Sequence, residues 1–460
     1  MRVLMYNWCP LLDSEGGGVS VYLRNIVETL AVREDIEVVF LNSGFYYDQS
    51  GKTYLRLSEN VDWHGVESYD IVNSPVVAPM KSPVDNIERF LNSTELNNLF
   101  LEFLSEQKID VVHFQNLEGL SLEVLSLKNQ LPGIKFIYSL HNYVAFCPCV
   151  NLWRSDNKNC FVEGNRDCCR CMAKYALPST ERKKRLRERK NPKAYLAGRV
   201  ETHAMYAIAS KTHAHVYDRN TYADLFKLYR EKVALYVNTY MDAVLAVSER
   251  VRNIALSFGF KPSIVTTEYI GTRFAEHQVD EGHPQLDDML HLVFMGYMKK
   301  EKGLPFLIQA LMHMDEGDAK RLNITIAAKL SDPGVFLQIK KLEHRVGNLT
   351  YLNGYTHEQL PGILSKQDLG VVPVLWEDNL PQVAIELAAS GVPVLSSTFG
   401  GASELTKAPG FAFEGGSEDA LIECLKRFVH DKSKLDEYWA GRIHFVTMPE
   451  HIERLCVYYR

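Results

Sequence analysis

Residues 370–396 constrain the fold of this chain more than any other stretch, because two apolar runs flank a polar loop and a helical pattern. The first run ends at Leu375, and the loop that follows covers residues 376–379. The spacing of apolar residues predicts a helix from Pro381 to Gly391 and a second strand from Val392 to Ser396. In open α/β sheets, ligands bind at the carboxyl ends of the strands, where this loop is expected.

The loop and the start of the predicted helix have the features of an anion-binding site. Asn379 suits the N-cap and the Leu380–Pro381 step suits the first turn, so free backbone amides are expected to face the crevice. These amides and the helix dipole favour a phosphate or diphosphate. Asp378 lies at the mouth of the loop. Glu386 lies about two turns into the helix, where its carboxylate can accept hydrogen bonds from paired sugar hydroxyls.

The alternative interpretation is an ordinary strand–helix–strand unit in which Glu386 is a solvated helix glutamate. The predicted helix is apolar on almost all sides, which indicates burial between two layers. A carboxylate on a buried helix needs a partner, so the sequence favours a ligand at Glu386.

These residues resemble the donor-binding motif of family 4 glycosyltransferases. In that motif two carboxylates are separated by seven residues, and a Gly-x-Pro-Val strand and a Gly-Gly-x-x-Glu loop follow. The matching residues here are Asp378, Glu386, Gly391–Val394 and Gly400–Glu404. The chain departs from the family at the first carboxylate, which is usually Glu, and Glu377 stands one step off register. The usual Gly-Phe-Gly is replaced by Asn379, Leu380 and Pro381.

The resemblance implies a retaining enzyme of the hexosyltransferase type with the GT-B fold. That fold has two doubly wound, Rossmann-like α/β domains that face each other across a cleft. The donor is expected to be a nucleotide-diphosphate sugar of the UDP or GDP type. Residues 378–380 are expected to hold its sugar and diphosphate, and Glu386 its ribose or its sugar. We expect no catalytic metal.

Composition limits the class of protein. The chain has 460 residues, enough for two or three domains, and its net charge of −6 argues against a general nucleic-acid binder. No apolar run is long enough to span a bilayer, and the amino terminus reads as a buried strand rather than a signal peptide. We therefore expect a cytoplasmic protein with reduced cysteines, either free in the cytoplasm or peripheral at the inner face of the plasma membrane.

Apolar strand patterns alternate with helical patterns on both sides of a polar stretch at residues 275–290. This alternation predicts two doubly wound domains. The boundaries place an acceptor-side domain at 1–280 and a donor-binding domain at 288–442. By analogy with the family, the helix within about 443–460 is expected to pack back on the first domain.

A second loop of interest follows the first strand of the donor domain. Lys302 matches the lysine of the family pattern Gly-Arg…Lys-Gly, in which a cation neutralises the diphosphate. Gly296 matches the glycine, but Tyr297 stands where the family has arginine. Either Lys299 or Lys300 supplies the missing charge, or one cation is enough. A solvated loop lysine is the alternative for Lys302.

By the same resemblance, two features of the first domain are expected to face the cleft. Gly17 and Gly18 end a glycine run between the first strand and helix, which lets a backbone approach a ligand closely. His141 ends a strand at the position where the family has a histidine facing the donor sugar, and is our catalytic candidate with Lys302 and Asp378. His113 also ends a strand. We expect it to be either a cleft residue of the first domain or a structural residue.

Six of the nine cysteines fall within the insertion 147–171. Cys147, Cys160, Cys168 and Cys171 have the spacing C-x12-C-x7-C-x2-C, with Cys149 and Cys169 between them. Some family 4 relatives carry a similar cluster after a His-Asx-Tyr segment. A terminal Cys-x-x-Cys suits structural zinc, whereas an iron–sulfur cluster or incidental buried thiols are the alternatives.

Residues 182–193 hold eight basic residues against one acidic residue, although the chain as a whole is acidic. A solvated helix face is the usual explanation of such a run. The other explanation is that Lys183, Lys184 and Arg185 are attracted to anionic lipid or to a lipid diphosphate acceptor.

The sequence therefore favours a glycosyltransferase that acts on a lipid-linked or growing surface polysaccharide such as O-antigen or capsule. Two alternatives remain open. One is a non-catalytic, zinc-containing protein that binds nucleic acid or glycan, and the other is a nucleotide-sugar epimerase on the same fold. The donor base, the sugar, the linkage and the acceptor depend on the shape of the pocket, which a few loop residues set.

Overall fold

The structure is a computed structural model that describes residues 1–11, 17–58, 63–78, 87–147, 149–154, 156–160, 171, 219–283 and 287–460. Over these ranges, no helix combines the length and the apolar character that a membrane crossing requires. The described elements form two α/β units, each built on its own sheet.

The first sheet has, within the described residues, eight strands in the order β3-β4-β2-β1-β5-β6-β7-β8. All neighbouring pairs are parallel except β3 and β4. The strands are β1 (Arg2–Tyr6), β2 (Glu37–Tyr46), β3 (Tyr54–Leu57), β4 (Glu67–Val72), β5 (Val111–Phe114), β6 (Lys135–Leu140), β7 (Ala243–Ala246) and β8 (Val265–Thr267).

The second sheet is parallel throughout, with the order β11-β10-β9-β12-β13-β14. Its central strands are buried on both faces, as expected where helices cover a parallel sheet. The strands are β9 (Leu290–Tyr297), β10 (Leu322–Lys329), β11 (Asn348–Leu352), β12 (Leu369–Val372), β13 (Val394–Ser397) and β14 (Ala412–Phe413).

Helices cover both sheets, and their apolar residues join one continuous core. The described α-helices are α1 (Gly18–Ala31), α2 (Ile87–Leu91), α3 (Thr94–Glu106), α4 (Arg219–Tyr240), α5 (Glu249–Ser257), α6 (Leu304–His313), α7 (Glu316–Ala319), α8 (Pro333–Leu342), α9 (Leu360–Leu364), α10 (Gln382–Ala389), α11 (Glu418–His430), α12 (Glu437–Gly441) and α13 (Met448–Tyr459). Short 3₁₀ turns lie at Leu122–Asn129, Arg273–His277, Lys300–Lys302, His357–Gln359, Gly401–Glu404 and Lys432–Asp436.

One strand departs from the expected parallel arrangement. The edge strand β3 pairs antiparallel with β4, with Tyr54 opposite Val72. Its side chains are half-buried or exposed, so the four residues lack the apolar run by which the parallel strands were predicted.

The chain passes from one unit to the other between β8, which ends at Thr267, and β9, which begins at Leu290. The polar stretch 275–290 and the predicted boundary fall in this interval. The last helix, α13, returns to the first unit and packs on α1. There the Tyr459 hydroxyl hydrogen-bonds to His113 Nδ1 at 2.7 Å.

The strand order of the second sheet reverses between β9 and β12. From β9 the chain adds β10 and β11 on one side, and then adds β12 on the other side. Ligands in doubly wound sheets bind at such a switch point, outside the carboxyl ends of the two strands. The loops at these ends are residues 298–303 and 373–381, and they contain the two motifs found in the sequence.

Candidate active site

A cavity of about 540 Å³ lies between the two units at this switch point. Helix α1 and the end of β6 line it from the first unit, and the loops after β9 and β12 line it from the second. The cavity brings together every residue that the sequence assigned to catalysis or to donor binding: Gly17, Gly18, His141, Gly296, Tyr297, Lys302, Asp378, Asn379, Leu380 and Glu386.

The donor loop, residues 376–381, leads into α10 differently from the prediction. The N-cap is Pro381, not Asn379, so the predicted cap is wrong. Leu380 precedes a proline, and the proline ring disfavours the helical conformation for the residue before it. The helix therefore begins at Gln382, and its first amides, which have no partner within the helix, open at the cavity.

Asn379 instead connects the donor loop to the first unit. Its side-chain amide donates to the carbonyl of Leu140 at 3.2 Å, and its own carbonyl accepts from Ser248 Oγ at 2.8 Å. Gly400 packs on the same loop with φ of +83°, and a Cβ there would lie 1.9 Å from the Asp378 carbonyl oxygen. The Gly-Gly motif therefore keeps the donor loop in contact with the loop after β13.

The structure separates the roles of the two adjacent carboxylates. Asp378 lines the cavity, whereas Glu377 is fully buried behind it and forms an ion pair with Arg250 of α5. Asp378 is therefore the carboxylate of this loop that a donor would meet.

Lys302 reaches Asp378 across the cavity, with its Nζ atom 2.7 Å from Asp378 Oδ2. The same ammonium group lies 4.9 Å from the centre of the Trp376 ring. Gly303 allows the two loops to meet, because it has φ of +82° and a Cβ there would lie 1.8 Å from the Pro373 carbonyl oxygen. The Lys-Gly pair thus combines a charge with a close backbone contact.

Two other lysines in the loop after β9 do not appear among the described cavity-lining residues. Lys300 is exposed, and Lys299 lies over the Tyr297 ring at 5.6 Å. The cavity has a second cation that the sequence analysis missed, Arg24 of α1, which donates to the carbonyl of Leu11. The sequence signal for Arg24 was its place on the predicted helix that follows the glycine run.

Glu386 is only 7% exposed, and its carboxylate has no hydrogen-bond or ion-pair partner among the described residues. Burial raises its pKa to about 7. It lies on α10 between the cavity at the switch point and a second cavity of about 730 Å³. A buried carboxylate without a protein partner is expected to meet its partner in a ligand.

His141 is held in an uncharged form. Burial lowers its pKa to about 3, and its Nε2 donates to Gln115 Oε1 at 2.9 Å. Its ring is 4.7 Å from that of Tyr22, whose hydroxyl hydrogen-bonds to His451 Nε2 at 2.6 Å. Tyr22 also lines the cavity. The sequence did not predict this, because Tyr22 occupies a position on α1 that is typical of a core residue.

His113 is a structural residue rather than a cleft residue. It is fully buried, and both ring nitrogens are occupied, Nδ1 by Tyr459 and Nε2 by Ser139 Oγ at 2.8 Å. The bond to Tyr459 attaches α13 to the first sheet, and the bond to Ser139 joins β5 to β6.

The cysteine insertion is only partly within the described residues. The Cys149 thiol hydrogen-bonds with the thiols of Cys147 and Cys171, and these neighbours raise its pKa. Cys160 is half-buried, and Cys168 lies outside the described residues. In the part of the insertion that is described, no group of three or more His, Cys, Asp or Glu side chains has metal-binding geometry. Lys183, Lys184 and Arg185 also lie outside the described residues.

One family model matches most of the second unit. Residues 290–431 match the family model for glycosyl transferases group 1. This segment contains β9 to β14, the loop with Lys302 and the donor loop.

Two curated proteins are similar to parts of the chain. Spore coat protein SA of Bacillus subtilis (strain 168) is 26% identical over 175 residues, which are 37% of this chain and 42% of the relative. Lipopolysaccharide 1,2-N-acetylglucosaminetransferase of Salmonella typhimurium (strain LT2) is 27% identical over 188 residues, 37% of this chain and 48% of the relative. The chain therefore spans less than half the length of these curated relatives.

Among solved structures, that of Anabaena Alr3699/HepE in complex with UDP aligns over 99% of both chains, with a TM-score of 0.57 and 12% identity. At this identity the likeness shows the fold alone, and it confirms the fold class expected from the sequence. The chain has the two-domain GT-B fold, and residues 290–431 are similar to glycosyl transferases group 1.

Proposed function

We propose that the chain is a retaining glycosyltransferase that moves a sugar from a nucleotide-diphosphate sugar to an acceptor hydroxyl. The observation that carries this proposal is the cavity itself. It combines the buried carboxylate of Glu386, which has no partner among the described residues, with a lysine–aspartate pair at the start of a helix. Each feature suits one part of the donor: the ribose, the diphosphate and the sugar.

The chemistry then depends on positioning and on charge stabilisation. The bond between the anomeric carbon and the diphosphate oxygen breaks, and Lys302 and the first amides of α10 stabilise the leaving diphosphate. The acceptor oxygen forms the new bond on the same face of the sugar. Its proton passes to the leaving phosphate oxygen, so no protein base is needed. Asp378 from the second unit and uncharged His141 from the first unit orient the sugar.

The nature of the donor and acceptor is supported by the similar proteins. Alr3699/HepE binds UDP in its crystal structure, which makes a UDP-sugar the first donor to test. The Salmonella relative acts on lipopolysaccharide. We therefore infer an acceptor of the same kind, a lipid-linked or growing surface polysaccharide.

Calorimetric titration tests the donor site. We expect one of a panel of UDP-, GDP-, ADP- and dTDP-sugars to bind the wild-type chain, and binding to be lost in Glu386→Ala. A folded wild-type chain that binds none of them would contradict the proposal. Binding without transfer to any acceptor, but with epimerisation of the sugar, would favour the epimerase alternative.

We also propose that the cysteine insertion holds a structural zinc ion that takes no part in the chemistry. The spacing of Cys147, Cys160, Cys168 and Cys171 supports a thiolate site, and Cys149 hydrogen-bonds with two of these thiols, those of Cys147 and Cys171. Metal analysis of anaerobically purified protein is expected to find zinc in equimolar amount, and to find it lost in Cys147→Ser but retained in Cys424→Ser. Protein with neither zinc nor iron would contradict the proposal.

The basic run supports a peripheral location at an anionic membrane surface, facing the cytoplasm. We expect the chain to float with liposomes that contain anionic lipid, and charge reversal at Lys183, Lys184 and Arg185 to weaken flotation. Flotation that is indifferent both to anionic lipid and to charge reversal would rule out this contact.

A further inference from the structure

The carboxylate of Glu377 lies behind the donor loop and is bound on all sides. Arg250 donates to it twice, from Nε to Oε2 at 2.7 Å and from Nη2 to Oε1 at 2.6 Å. Asn159 Nδ2 donates to Oε1 at 3.0 Å, and the amide of Gly400 donates to Oε2 at 3.3 Å. Glu377 is fully buried, so each of these bonds replaces a water molecule that the carboxylate gave up on folding.

The partners of Glu377 come from three separate parts of the chain. Arg250 lies on α5 of the first unit, Gly400 lies in the loop after β13, and Asn159 lies in the cysteine insertion, directly before Cys160. Asn159 is itself held in place, because it pairs with Trp153 and the Cys160 amide donates to the Leu152 carbonyl at 2.7 Å. A buried side chain of the insertion, that of Asn159, therefore contacts the donor loop.

Further contacts hold α5 against the donor domain. The carboxylate of Glu404 accepts hydrogen bonds from the backbone amides of Glu249 and Arg250 at 2.8 and 2.7 Å. It therefore caps the first amides of α5. Ser248 Oγ donates to the Asn379 carbonyl within the donor loop. A shift of α5 relative to the donor domain would break several of these bonds together, most of them buried or partly buried, so we expect them to break and form together.

We propose that Arg250, Glu377 and Asn159 are positioning residues. Through them, the conformation of the cysteine insertion sets the geometry of the donor loop. Glu377 is the residue next to Asp378, and Asp378 meets Lys302 in the cavity at 2.7 Å. Displacing the Glu377 carboxylate turns the loop backbone and moves Asp378 away from this contact. The effect on donor binding rests on the proposed function. The coupling between the insertion and the donor loop does not, because it is a property of the free protein.

Three variants separate positioning from simple stabilisation. Arg250→Lys keeps the charge but loses the paired bonds, and Asn159→Ala removes the contact from the insertion while leaving the ion pair. The matched control is Asp368→Asn, which breaks another buried ion pair, that of Asp368 with Lys432 at 2.8 Å. Neither residue of the control pair is among the described residues that line the cavity.

Hydrogen–deuterium exchange of peptides covering residues 374–383 gives a readout that needs no ligand. We expect Arg250→Lys and Asn159→Ala to speed exchange in these peptides about tenfold, because a hydrogen bond to a buried charge is lost. Affinity for the nucleotide sugar is expected to fall by a similar factor. Asp368→Asn is expected to lower the Tm without changing exchange in these peptides or the affinity.

A double-mutant cycle tests the route from the insertion. Cys147→Ser is expected to speed exchange in residues 374–383 in the wild-type background, but to add nothing in the Asn159→Ala background. Additive effects would show that the insertion acts by another route and would overturn the proposal. So would wild-type exchange and affinity in both Arg250→Lys and Asn159→Ala. If the wild type binds no nucleotide sugar, the proposed function fails, and the exchange cycle still decides the coupling.

Discussion

Replacing Lys302 with alanine is expected to slow sugar transfer about 100-fold to 1,000-fold at saturating substrate. The Lys302 ammonium group lies in the cavity, 2.7 Å from Asp378. Negative charge grows on the leaving diphosphate as the glycosidic bond breaks. A fixed cation in partly buried surroundings stabilises that charge more than mobile water does. Steady-state kinetics measure the loss, which should fall mainly on kcat.

Lys300→Ala is the matched control, because it removes the same charge from an exposed position of the same loop. Its turnover is expected to stay within about twofold of the wild type. The opposite result, a slow Lys300→Ala enzyme beside a normal Lys302→Ala enzyme, would mean that the diphosphate lies elsewhere in the loop. Lys299→Ala tests the remaining alternative in the same way.

Replacing Glu386 with glutamine is expected to weaken binding of the nucleotide sugar about 10-fold to 100-fold. The substitution keeps the shape of the side chain but removes the charge that strengthens hydrogen bonds from the ribose hydroxyls. Glu343→Gln changes an exposed carboxylate of the same domain and is expected to bind as the wild type does. Unchanged affinity in Glu386→Gln would place the ribose away from α10.

The affinity of the wild type should also depend on pH, because burial raises the pKa of Glu386 to about 7. The ionised form is the better acceptor, so binding is expected to tighten as the pH rises from 6 to 8. Glu386→Gln should show no such dependence. The intact nucleotide sugar is the proper probe, since the terminal phosphate of a free nucleotide titrates near pH 6.

The same shift predicts an effect on stability in the opposite sense. The pKa of Glu386 is raised from its ordinary value of 4.5 to about 7, so between these values the folded chain holds the proton more tightly than the unfolded chain does. Its contribution to stability is fully present below pH 4.5 and is lost as the pH rises through 7. At pH 8 the buried charge costs on the order of 3 kcal/mol.

Glu386→Gln is therefore expected to unfold at a higher temperature than the wild type at pH 8 and at a similar temperature at pH 4.5. Thermal unfolding without ligand at several pH values measures this difference. A variant that is less stable than the wild type at pH 8 would show that Glu386 has a protein partner, and that its carboxylate is not reserved for a ligand. Stability that is lost in order to bind a ligand is a common feature of binding sites.

The fold and most of the cavity wall follow from local patterns. Buried parallel strands appear as short apolar runs, and the helices between them show their own period, so the two units and the loops after β9 and β12 can be read along the chain. The Lys-Gly and Gly-Gly pairs are local as well. Each glycine is needed where one loop backbone touches another, at Gly303 against Pro373 and at Gly400 against Asp378.

Contacts between distant segments are not written in local patterns. Tyr22 meets His451 across 429 residues, and Arg250 meets Glu377 across 127 residues. Glu377 and Asp378 are neighbours in a polar loop, and no periodicity distinguishes them. Arg250 draws Glu377 behind the loop and leaves Asp378 for Lys302. Helices, strands and turns depend on the periodicity of apolar residues and on turn residues, which neighbouring positions in the sequence supply. The direction of a charged side chain depends instead on which partner the folded chain brings within reach.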